Sequence, residues 1–440
     1  MTKCNFQTDL FAPVKNRKIE ISTDGAEISS DAGAILLREL DRKLKISKQI
    51  ASRMPDPRNQ AYVEHSLESL VRQRLYALAL GYEDYNDHDS LRKDPLLQSA
   101  VDRSEDLAGK STICRFEQSA EGSAVIDSLD HLLVDLYIKT RDEAPSEIVL
   151  DFDATDTQLF GEQEGRHFHG YYDGFCYLPL LVFAGDFPLH AMLRKSDSDP
   201  AKGSLEVLER LVARLRKQWN NVRITFRADA GFCRDEILSW CEHNDVQYIV
   251  GYAKNSVVMK HCEDVTEKVR LQYEEKETKQ KHFTSFDYKA GKWEGARRTI
   301  VKAEYNAIGP NTRFIVTNLK GGAQDLYELV YCARGDMENR IKEQQTDLFG
   351  SRMSASSFAQ NSLRFLMSTF AYILVNQLRT ATLKGTELAE SYCGSIRTKL
   401  LKIGAVVIRN TRSIKISLSS SHPFKDLFIQ TAERLHLMTS

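Results

Sequence analysis

The order of apolar segments between residues 147 and 253 constrains the fold more than any other feature of the sequence. Three strand-like segments come first: EIVLDFDATD (147–156), CYLPLLVFAG (176–185) and PLHAMLRKS (188–196). A helical repeat of apolar residues (205–215), a strand (221–231), a helix (234–244) and a strand (246–253) follow. Three antiparallel strands followed by alternating helices and strands predict an α/β fold, a ribonuclease H-like mixed sheet with flanking helices.

Composition divides the rest of the chain into further regions. Residues 1–140 are predicted to be an all-α region, 141–254 the first part of the α/β core, 255–320 a β-rich insertion, 321–385 the second part of the core, and 386–440 a basic C-terminal region. Residues 395–421 contain basic residues and no acid. In the first region, short helices before Ser111 and Thr112 indicate either a helix-turn-helix that presents Arg115 to DNA or an ordinary small helical bundle.

The charge balance of 60 basic and 61 acidic residues excludes a histone-like polybasic protein, yet permits a basic face. The 8 cysteines form no C-x-x-C pair, which is typical of reduced thiols in the cytosol. The start, MTKCNFQTDLF, lacks the pattern of a secretion signal. The most apolar stretch (365–378) is shorter than the roughly 20 residues that span a bilayer. We therefore expect a cytoplasmic protein with no membrane association.

Acidic residues stand where the predicted core strands end. Asp151, Asp153 and Asp156 lie at the end of the first strand, Asp229 ends the fourth, and Glu338 lies on a helix after the insertion. The first and fourth strands of such a sheet are neighbours, so their acids meet, and converging carboxylates stay ionised only with a cation between them. Oxygen ligands suit Mg²⁺ or Mn²⁺, which support phosphodiester displacement. The alternative is that strand-end acids are turn or cap residues, and periodicity does not choose among the first three.

The acidic segments LDFDATD, FRADAGF and YCARGDMENRIKEQQTDLF resemble the three acidic blocks of DDE transposases from bacterial insertion sequences. The resemblance is to the cut-and-paste group with the pattern Tyr-x2-Arg-x3-Glu-x6-Lys, which Tyr331, Arg334 and Glu338 match, whereas Gln345 occupies the Lys position. The segments GYYDGFCYLPLLVFAGD, WCEHNDVQYIVGYAKN and ENRIKEQQTDLF are similar to the insertion-sequence thirteen-eighty family.

This resemblance implies a DNA transposase that binds the terminal inverted repeats of its element and catalyses metal-dependent cleavage and strand transfer, with or without hairpin ends. It implies that Asp153, Asp229 and Glu338 are the catalytic residues and hold two Mg²⁺ ions, with Mn²⁺ as a substitute. Terminal repeats and target DNA are the expected partners, bound by a homodimer that pairs two ends. The alternatives are a structure-selective nuclease or resolvase of the same fold, or a catalytically dead repeat-binding protein.

Further candidate residues for DNA contact surround these acids. On a regular helix Tyr331, Arg334 and Glu338 share one face, which places Arg334 beside a bound phosphate. Lys342 either contacts the duplex or is solvated. Trp293, with Arg297 and Arg298 close behind it, either stacks on an extruded base or packs in a small β core. The segment GRHFHGYYDG (165–174) is interpreted as a loop that contacts DNA or orients the first aspartate.

Overall fold

The structure, a computed structural model, describes residues 11–119 and 122–438; the first ten residues, which entered the signal-sequence argument, lie outside the described part. Helices dominate the first region, as predicted. Its elements are β1 (Ile28–Ser29), α1 (Ala34–Leu44), α2 (Ile46–Arg53), α3 (Leu67–Leu80), α4 (Asp87–Leu91), α5 (Pro95–Ala100), α6 (Lys110–Gln118) and α7 (Ser123–Lys139). Gly109 precedes α6, so Ser111 and Thr112 lie in its first turn and do not cap it, contrary to the sequence-based expectation.

The segment from 147 to 252 forms the predicted succession of strands and helices. Its elements are β2 (Glu147–Ala154), β3 (Thr157–Gln158), β4 (His167–His169), β5 (Gly174–Tyr177), β6 (Leu180–Ala184), β7 (Phe187–Met192), α8 (Ser204–Gln218), β8 (Arg223–Ala228), α9 (Asp235–His243) and β9 (Gln247–Tyr252). The expected single strand at 176–185 is divided between β5 and β6. A separate three-stranded sheet has the order β3-β5-β4. In the chain, this sheet follows directly after the core strand β2.

The block from 255 to 320 begins with helices, not with strands. Its elements are α10 (Ser256–Lys260), α11 (Glu263–Lys276), β10 (Gln280–Tyr288), β11 (Arg297–Asn306), β12 (Gly309–Pro310) and β13 (Arg313–Thr317). The expected β-rich insertion contains the strands β10 to β13, but it also contains the helix α11, which has a single buried residue, Val269. A charged helix that buries so little shows weak apolar periodicity, and its sequence does not distinguish it from an exposed strand.

Among the described residues, nine strands form one mixed sheet in the order β10-β11-β13-β9-β8-β2-β6-β7, with β12 beside β11. The first and fourth core strands are neighbours as predicted, because β2 pairs in parallel with β8 and antiparallel with β6. The strands of the block at 255–320 extend this sheet, since β13 pairs with β9. The protein is therefore a mixed α/β structure in which the insertion and the core share one sheet.

The remaining chain covers this sheet and closes on the first region. Residues 323–347 form a helical segment, followed by α14 (Phe358–Thr382), α15 (Cys393–Ile396), β14 (Ala405–Arg409), β15 (Ile414–Leu418) and α16 (Lys425–Leu437). The helix α14 is buried along nearly its whole length. The strands β14 and β15 pair with each other, and β14 also pairs with β1. No helix in the described residues is long and apolar enough to cross a membrane.

Candidate active site at the ends of two parallel strands

Asp153 and Asp229 lie at the same edge of the sheet. In the β2–β8 pairing Phe152 is opposite Ala228, so the next residue of each strand is an aspartate. Asp229 also begins a short 3-10 turn (Ala230–Phe232), where its side chain accepts a hydrogen bond of 2.8 Å from the Gly231 amide. The parallel register therefore places both carboxylates together, as the sequence predicted.

The helical segment that carries Glu338 is irregular. It consists of an α-helical turn α12 (Ala323–Asp325), a π-helical stretch (Leu326–Tyr331), a 3-10 turn (Cys332–Arg334), the helix α13 (Gly335–Lys342) and a second π-helical stretch (Glu343–Asp347). The expectation of one regular helix is therefore wrong, although the segment is continuous. Insertions of π geometry are frequent at functional sites because they redirect side chains from the regular helical spacing.

Arg334 lies between two of the candidate carboxylates. Its Nη1 is 3.4 Å from Asp153 Oδ1 and its Nη2 is 2.7 Å from Glu338 Oε1. Burial lowers the pKa of Arg334, but the charges of Asp153 and Glu338 raise it by more. The guanidinium therefore joins the end of β2 to α13 and marks a place where the site favours positive charge.

The carboxyl of Asp153 is hard to ionise. Burial raises its pKa to about 6, against the opposing effect of Arg334, and the negative charges of Asp229 and Glu338 add to the increase. These interactions mean that the three carboxylates share one electrostatic environment although they come from three separate elements. Gly335 leaves open space beside this site, because a Cβ built there would meet nothing within 4 Å.

The donor chemistry of this site fits a hard divalent cation, since its carboxylates offer only oxygen ligands. Within residues 11–119 and 122–438, however, no three His, Cys, Asp or Glu side chains lie close enough together to enclose one ion. The cation-favouring position between Asp153 and Glu338 is taken by the Arg334 guanidinium. A divalent cation placed between Asp153 and Glu338 would therefore take the position of the Arg334 guanidinium.

The other two aspartates of the first block have different surroundings. Asp151 is buried and paired with Arg227, whose Nη2 is 2.7 Å from Asp151 Oδ2. The same guanidinium donates to the Val330 carbonyl, one residue before Tyr331. The backbone carbonyl of Asp156 accepts a 3.2 Å hydrogen bond from Gln345 Nε2. Of the three aspartates, Asp153 is thus the one whose carboxylate contacts Arg334.

Arg227 is a residue that sequence reasoning missed. Arg227 lies two positions before Asp229, and Asp151 lies two positions before Asp153. Because side chains alternate along a strand, residues two positions apart point to the same face of the sheet. The parallel register places Asp151 directly opposite Arg227. The sequence signal for this pair is an acid and a base, Asp151 and Arg227, that each stand two residues before a candidate aspartate.

Tyr331 packs against the end of β9 through a close approach that needs a glycine. A Cβ built on Gly251 would lie 2.7 Å from Tyr331 Oη and 2.8 Å from the Ala230 amide nitrogen. Burial raises the pKa of Tyr331, Arg334 opposes this, and the charge of Asp229 adds to it. The phenol therefore lies beside Asp229, as expected for a residue of this site.

The expected DNA contacts of the insertion are not on its surface. Trp293 is 7% exposed and packs against Tyr252 and Tyr288, with ring centroids 5.4 and 5.8 Å away. Arg297 is buried, stacks on the Trp293 ring and pairs with Asp235 and Glu242. Trp293 therefore follows the second alternative, packing in a small β core, and Arg297 takes part in the same packing against α9. Neither side chain lies on the surface for the expected DNA contact.

Arg298, on the other face of β11, donates to the carbonyls of Leu319 and Gly321, so its guanidinium holds the chain after β13. Lys342 is exposed at the end of α13, in a cleft of about 580 Å³ that Tyr392 and Lys399 also line. Arg115 is exposed on α6 and lines a second cleft of about 580 Å³ with Arg58. The structure thus leaves Lys342 and Arg115 available for a ligand and engages Arg298 in backbone contacts.

Comparison with known proteins gives one family match. The model of the family described as "Transposase DDE domain group 1" matches residues 11–440. Among solved structures, a piggyBac transposase synaptic complex with hairpin DNA, determined by cryo-EM, is similar over 83% of this chain and 79% of that chain. The sequence identity is 11% and the TM-score is 0.42. No curated protein matches the chain.

Proposed function

This chain belongs to the transposase DDE domain group 1 family, and on that premise we propose that it is the transposase of a bacterial insertion sequence, which it moves by cutting and pasting. The observation that carries the proposal is that Arg334 contacts both Asp153 and Glu338, and that the charges of Asp229 and Glu338 act on Asp153, in a member of this family. The substrates are the terminal inverted repeats of the element and a target duplex. Strand transfer proceeds from the cut ends, with or without a hairpin.

Two finer assignments accompany this proposal. The strand order β7-β6-β2-β8-β9, with β2 antiparallel to β6 and parallel to β8, supports a ribonuclease H-like core. The spacing of Tyr331, Arg334 and Glu338 supports membership of the cut-and-paste group. The segments GYYDGFCYLPLLVFAGD, WCEHNDVQYIVGYAKN and ENRIKEQQTDLF support the thirteen-eighty family within it. Gln345, which stands at the Lys position of that pattern, holds the chain after β2 through the Asp156 carbonyl.

Catalysis is assigned to Asp153, Asp229 and Glu338, which would hold Mg²⁺, or Mn²⁺ in its place. Such ions, when bound, activate the attacking oxygen and stabilise the leaving oxygen in phosphodiester displacement. Arg334 exchanges its carboxylate partners for a phosphate of the DNA, to which a guanidinium binds with two parallel hydrogen bonds. Tyr331 supports Asp229 from the side of β9. The chain contributes position and charge, with no covalent protein intermediate.

The remaining regions are assigned to DNA binding and pairing. Residues 1–140 bind the terminal repeats, with Arg115 as a contact, and the basic region at 386–440 adds phosphate contacts. The core is divided at 141–254 and 321–385 by the segment 255–320. A homodimer in the cytoplasm holds two ends together. Each basic contact with phosphate makes DNA binding weaker at higher salt.

A structure-selective nuclease or resolvase of the same fold is the alternative enzyme, and a catalytically dead repeat-binding protein is the alternative without activity. A strand-transfer assay separates them, because only a transposase joins a free 3′-hydroxyl end to a second duplex. Protein that nicks DNA but never joins such an end is a nuclease. Protein that binds the repeats without nicking them is catalytically dead.

The site assignment is tested by Asp229→Asn. The asparagine oxygen can still accept the hydrogen bond from Gly231, so the turn and end binding are preserved while a metal-binding charge is lost. We expect cleavage to fall at least about a thousandfold, because positioning and electrostatic terms of this kind are worth several kcal/mol. The matched control is Asp287→Asn, an exposed aspartate on β10. Cleavage by Asp229→Asn at the rate of the control would refute the site.

A further inference from the structure

The sheet formed by β3, β4 and β5 exposes an unusual number of aromatic rings. This segment, residues 157–177, is called the aromatic hairpin below. The exposed fraction is 92% for Phe160, 85% for Tyr171, 57% for Phe168 and 42% for Phe175. Single exposed apolar residues need no explanation, but several aromatic rings on one small sheet mark an interaction surface.

Two of these rings form a fixed ladder with a guanidinium. Phe168 is opposite Phe175 across the β4–β5 pair, with ring centroids 5.7 Å apart. The guanidinium carbon of Arg166 lies 4.6 Å from the centroid of the Phe175 ring. Arg166 also pairs with Glu162, and His167 lies 3.4 Å from Asp197, so these acids already have basic partners. Aromatic rings flanked by guanidinium are the chemistry that stacks with nucleobases.

The base of the aromatic hairpin is held firmly. Ser196 Oγ donates to the Cys176 carbonyl at 2.7 Å and lies 3.1 Å from the His167 carbonyl. The buried Tyr177 packs on Phe358, with ring centroids 5.1 Å apart. The exposed rings are therefore presented by an anchored sheet, which lowers the entropy that a ligand must overcome when it binds.

The aromatic hairpin begins at the candidate active site. It starts three residues after Ala154, the end of β2, and Tyr172 Oη lies 3.5 Å from the Ala154 carbonyl. Burial raises the pKa of Tyr172 to about 12, and the charges of Asp156 and Asp153 contribute to this increase. A DNA strand held at Asp153 therefore passes close to the aromatic hairpin. This location favours a nucleic acid over a second copy of the chain as the occupant.

We propose that the aromatic hairpin stacks unpaired bases at the DNA end that is held at Asp153 and Asp229. This inference rests on the proposed function, since it takes the ligand of the neighbouring acids to be DNA. It also transfers the base-stacking role, which the sequence suggested for Trp293, to Phe168, Phe175 and Tyr171. Stacking of this kind tolerates any base because every base has a π face.

The test compares two DNA probes of one sequence, a blunt duplex and a duplex with four unpaired nucleotides at one end. The first unpaired position carries 2-aminopurine, whose fluorescence is quenched by stacking. Binding is measured without divalent cations, so it does not depend on cleavage. We expect the parent protein to quench the probe and to prefer the unpaired end. In Phe168→Ala and Tyr171→Ala we expect this preference to fall roughly tenfold, with blunt-end affinity unchanged.

The matched control is Ile308→Ala, which shortens an apolar side chain of 98% exposure in the turn between β11 and β12 and should keep the preference. Phe168→Trp should keep it as well, since the larger ring still stacks. Retention of quenching and preference in both alanine variants would overturn the proposal. The proposal would also be overturned if the alanine variants kept the preference for the unpaired end but no longer formed a dimer in sedimentation. The aromatic hairpin would then bind a second copy of the chain. Because no cleavage is measured, failure of the Asp229→Asn test leaves this result interpretable.

Discussion

At the scale of single residues, ionisation of Asp153 opposes folding. Its pKa is raised from 3.8 to about 6, so the folded protein holds this proton more tightly than the unfolded chain does. Stability from this group is therefore fully present below pH 3.8 and is lost as the pH rises through about 6. Two pKa units correspond to about 3 kcal/mol. The site thus stores unfavourable charge that a bound cation would relieve.

The variant Asp153→Asn removes this titration. In the parent protein this group should lower the free energy of unfolding by about 3 kcal/mol as the pH rises from 3.8 to 8, whereas in Asp153→Asn it should not. The difference in unfolding free energy between variant and parent should therefore grow by about 3 kcal/mol over this pH range. Urea denaturation at several pH values, without divalent cations, measures the difference. Asp264→Asn, an exposed aspartate on α11, is the control and should follow the parent protein. Parallel pH profiles for Asp153→Asn and the parent would contradict the assigned environment of Asp153.

The candidate acids could be predicted from the sequence because they depend on strand order and on short patterns. Whether the neighbouring basic side chains are buried or exposed could not be predicted from the sequence. Arg297 and Arg298 are adjacent on β11, so they face opposite sides of the sheet. Arg297 pairs with Asp235 and Glu242, whereas Arg298 donates to backbone carbonyls. Which side is buried depends on helix α9 packing there, and that contact is between segments about 60 residues apart in the chain.

At the scale of elements, one guanidinium joins the three segments that carry the candidate acids. Arg227 on β8 bonds with Asp151 on β2 and with the Val330 carbonyl of the π-helical stretch. The sequence predicts the helix but not its π geometry, because the stretch is shaped by contacts such as Tyr331 against Gly251. Arg227 therefore holds the irregular helix at the end of the sheet.

The variant Arg227→Met tests this link. It leaves the buried carboxylate of Asp151 without a partner, which costs about 3–5 kcal/mol of unfolding free energy. Adding Asp151→Leu should recover most of this stability, because an apolar pair can replace a buried ion pair. We expect the double variant to remain poor in DNA cleavage, since the hydrogen bond from Arg227 to the Val330 carbonyl is lost. Urea denaturation and a cleavage assay measure the two effects separately.

The control lies on the same strand. Arg223 pairs with Glu147 at 3.6 Å, and its side chain is 66% exposed, so Arg223→Met should change stability by less than about 1 kcal/mol. Equal losses from Arg223→Met and Arg227→Met would show that the Asp151 pair is not special. Full cleavage activity in the double variant would show that Arg227 does not position the helix.

At the scale of the whole molecule, residues 27–31 are joined to residues 402–409. The strand β1 pairs with β14, Lys402 lies 2.7 Å from Asp31, and Arg409 lies 3.2 Å from Glu27. Arg397 is held by carbonyls of α3 and of Asp347. Several basic residues of the C-terminal region thus serve internal contacts, and the run of charges alone did not reveal this because their acidic partners lie far away in the sequence.

The basic residues that remain exposed should then account for DNA binding, since the formal net charge of the chain is −1. Lys342 and Lys399 line the cleft of about 580 Å³ with the half-exposed Tyr392. The cleft also contains Glu343, which is buried and paired with Arg379 at 3.1 Å, so its charge is largely neutralised. Lys342 lies four residues after Glu338 on α13, about 6 Å along the helix axis. The cleft therefore lies beside Glu338, where the proposed function places a DNA strand.

Salt dependence tests this path without any need for catalysis. If both lysines contact phosphates, Lys342→Ala and Lys399→Ala should each weaken binding of duplex DNA and reduce the slope of log K against log salt by about 1. The double variant should reduce it by about 2 because each contact releases its own counterion. Lys217→Ala, an exposed lysine in the last turn of α8, is the matched control and should keep the parent slope. An unchanged slope in the double variant would mean that neither lysine contacts a phosphate and that DNA does not follow this cleft. The exposed residues on another face of α13 would then be the ones to vary.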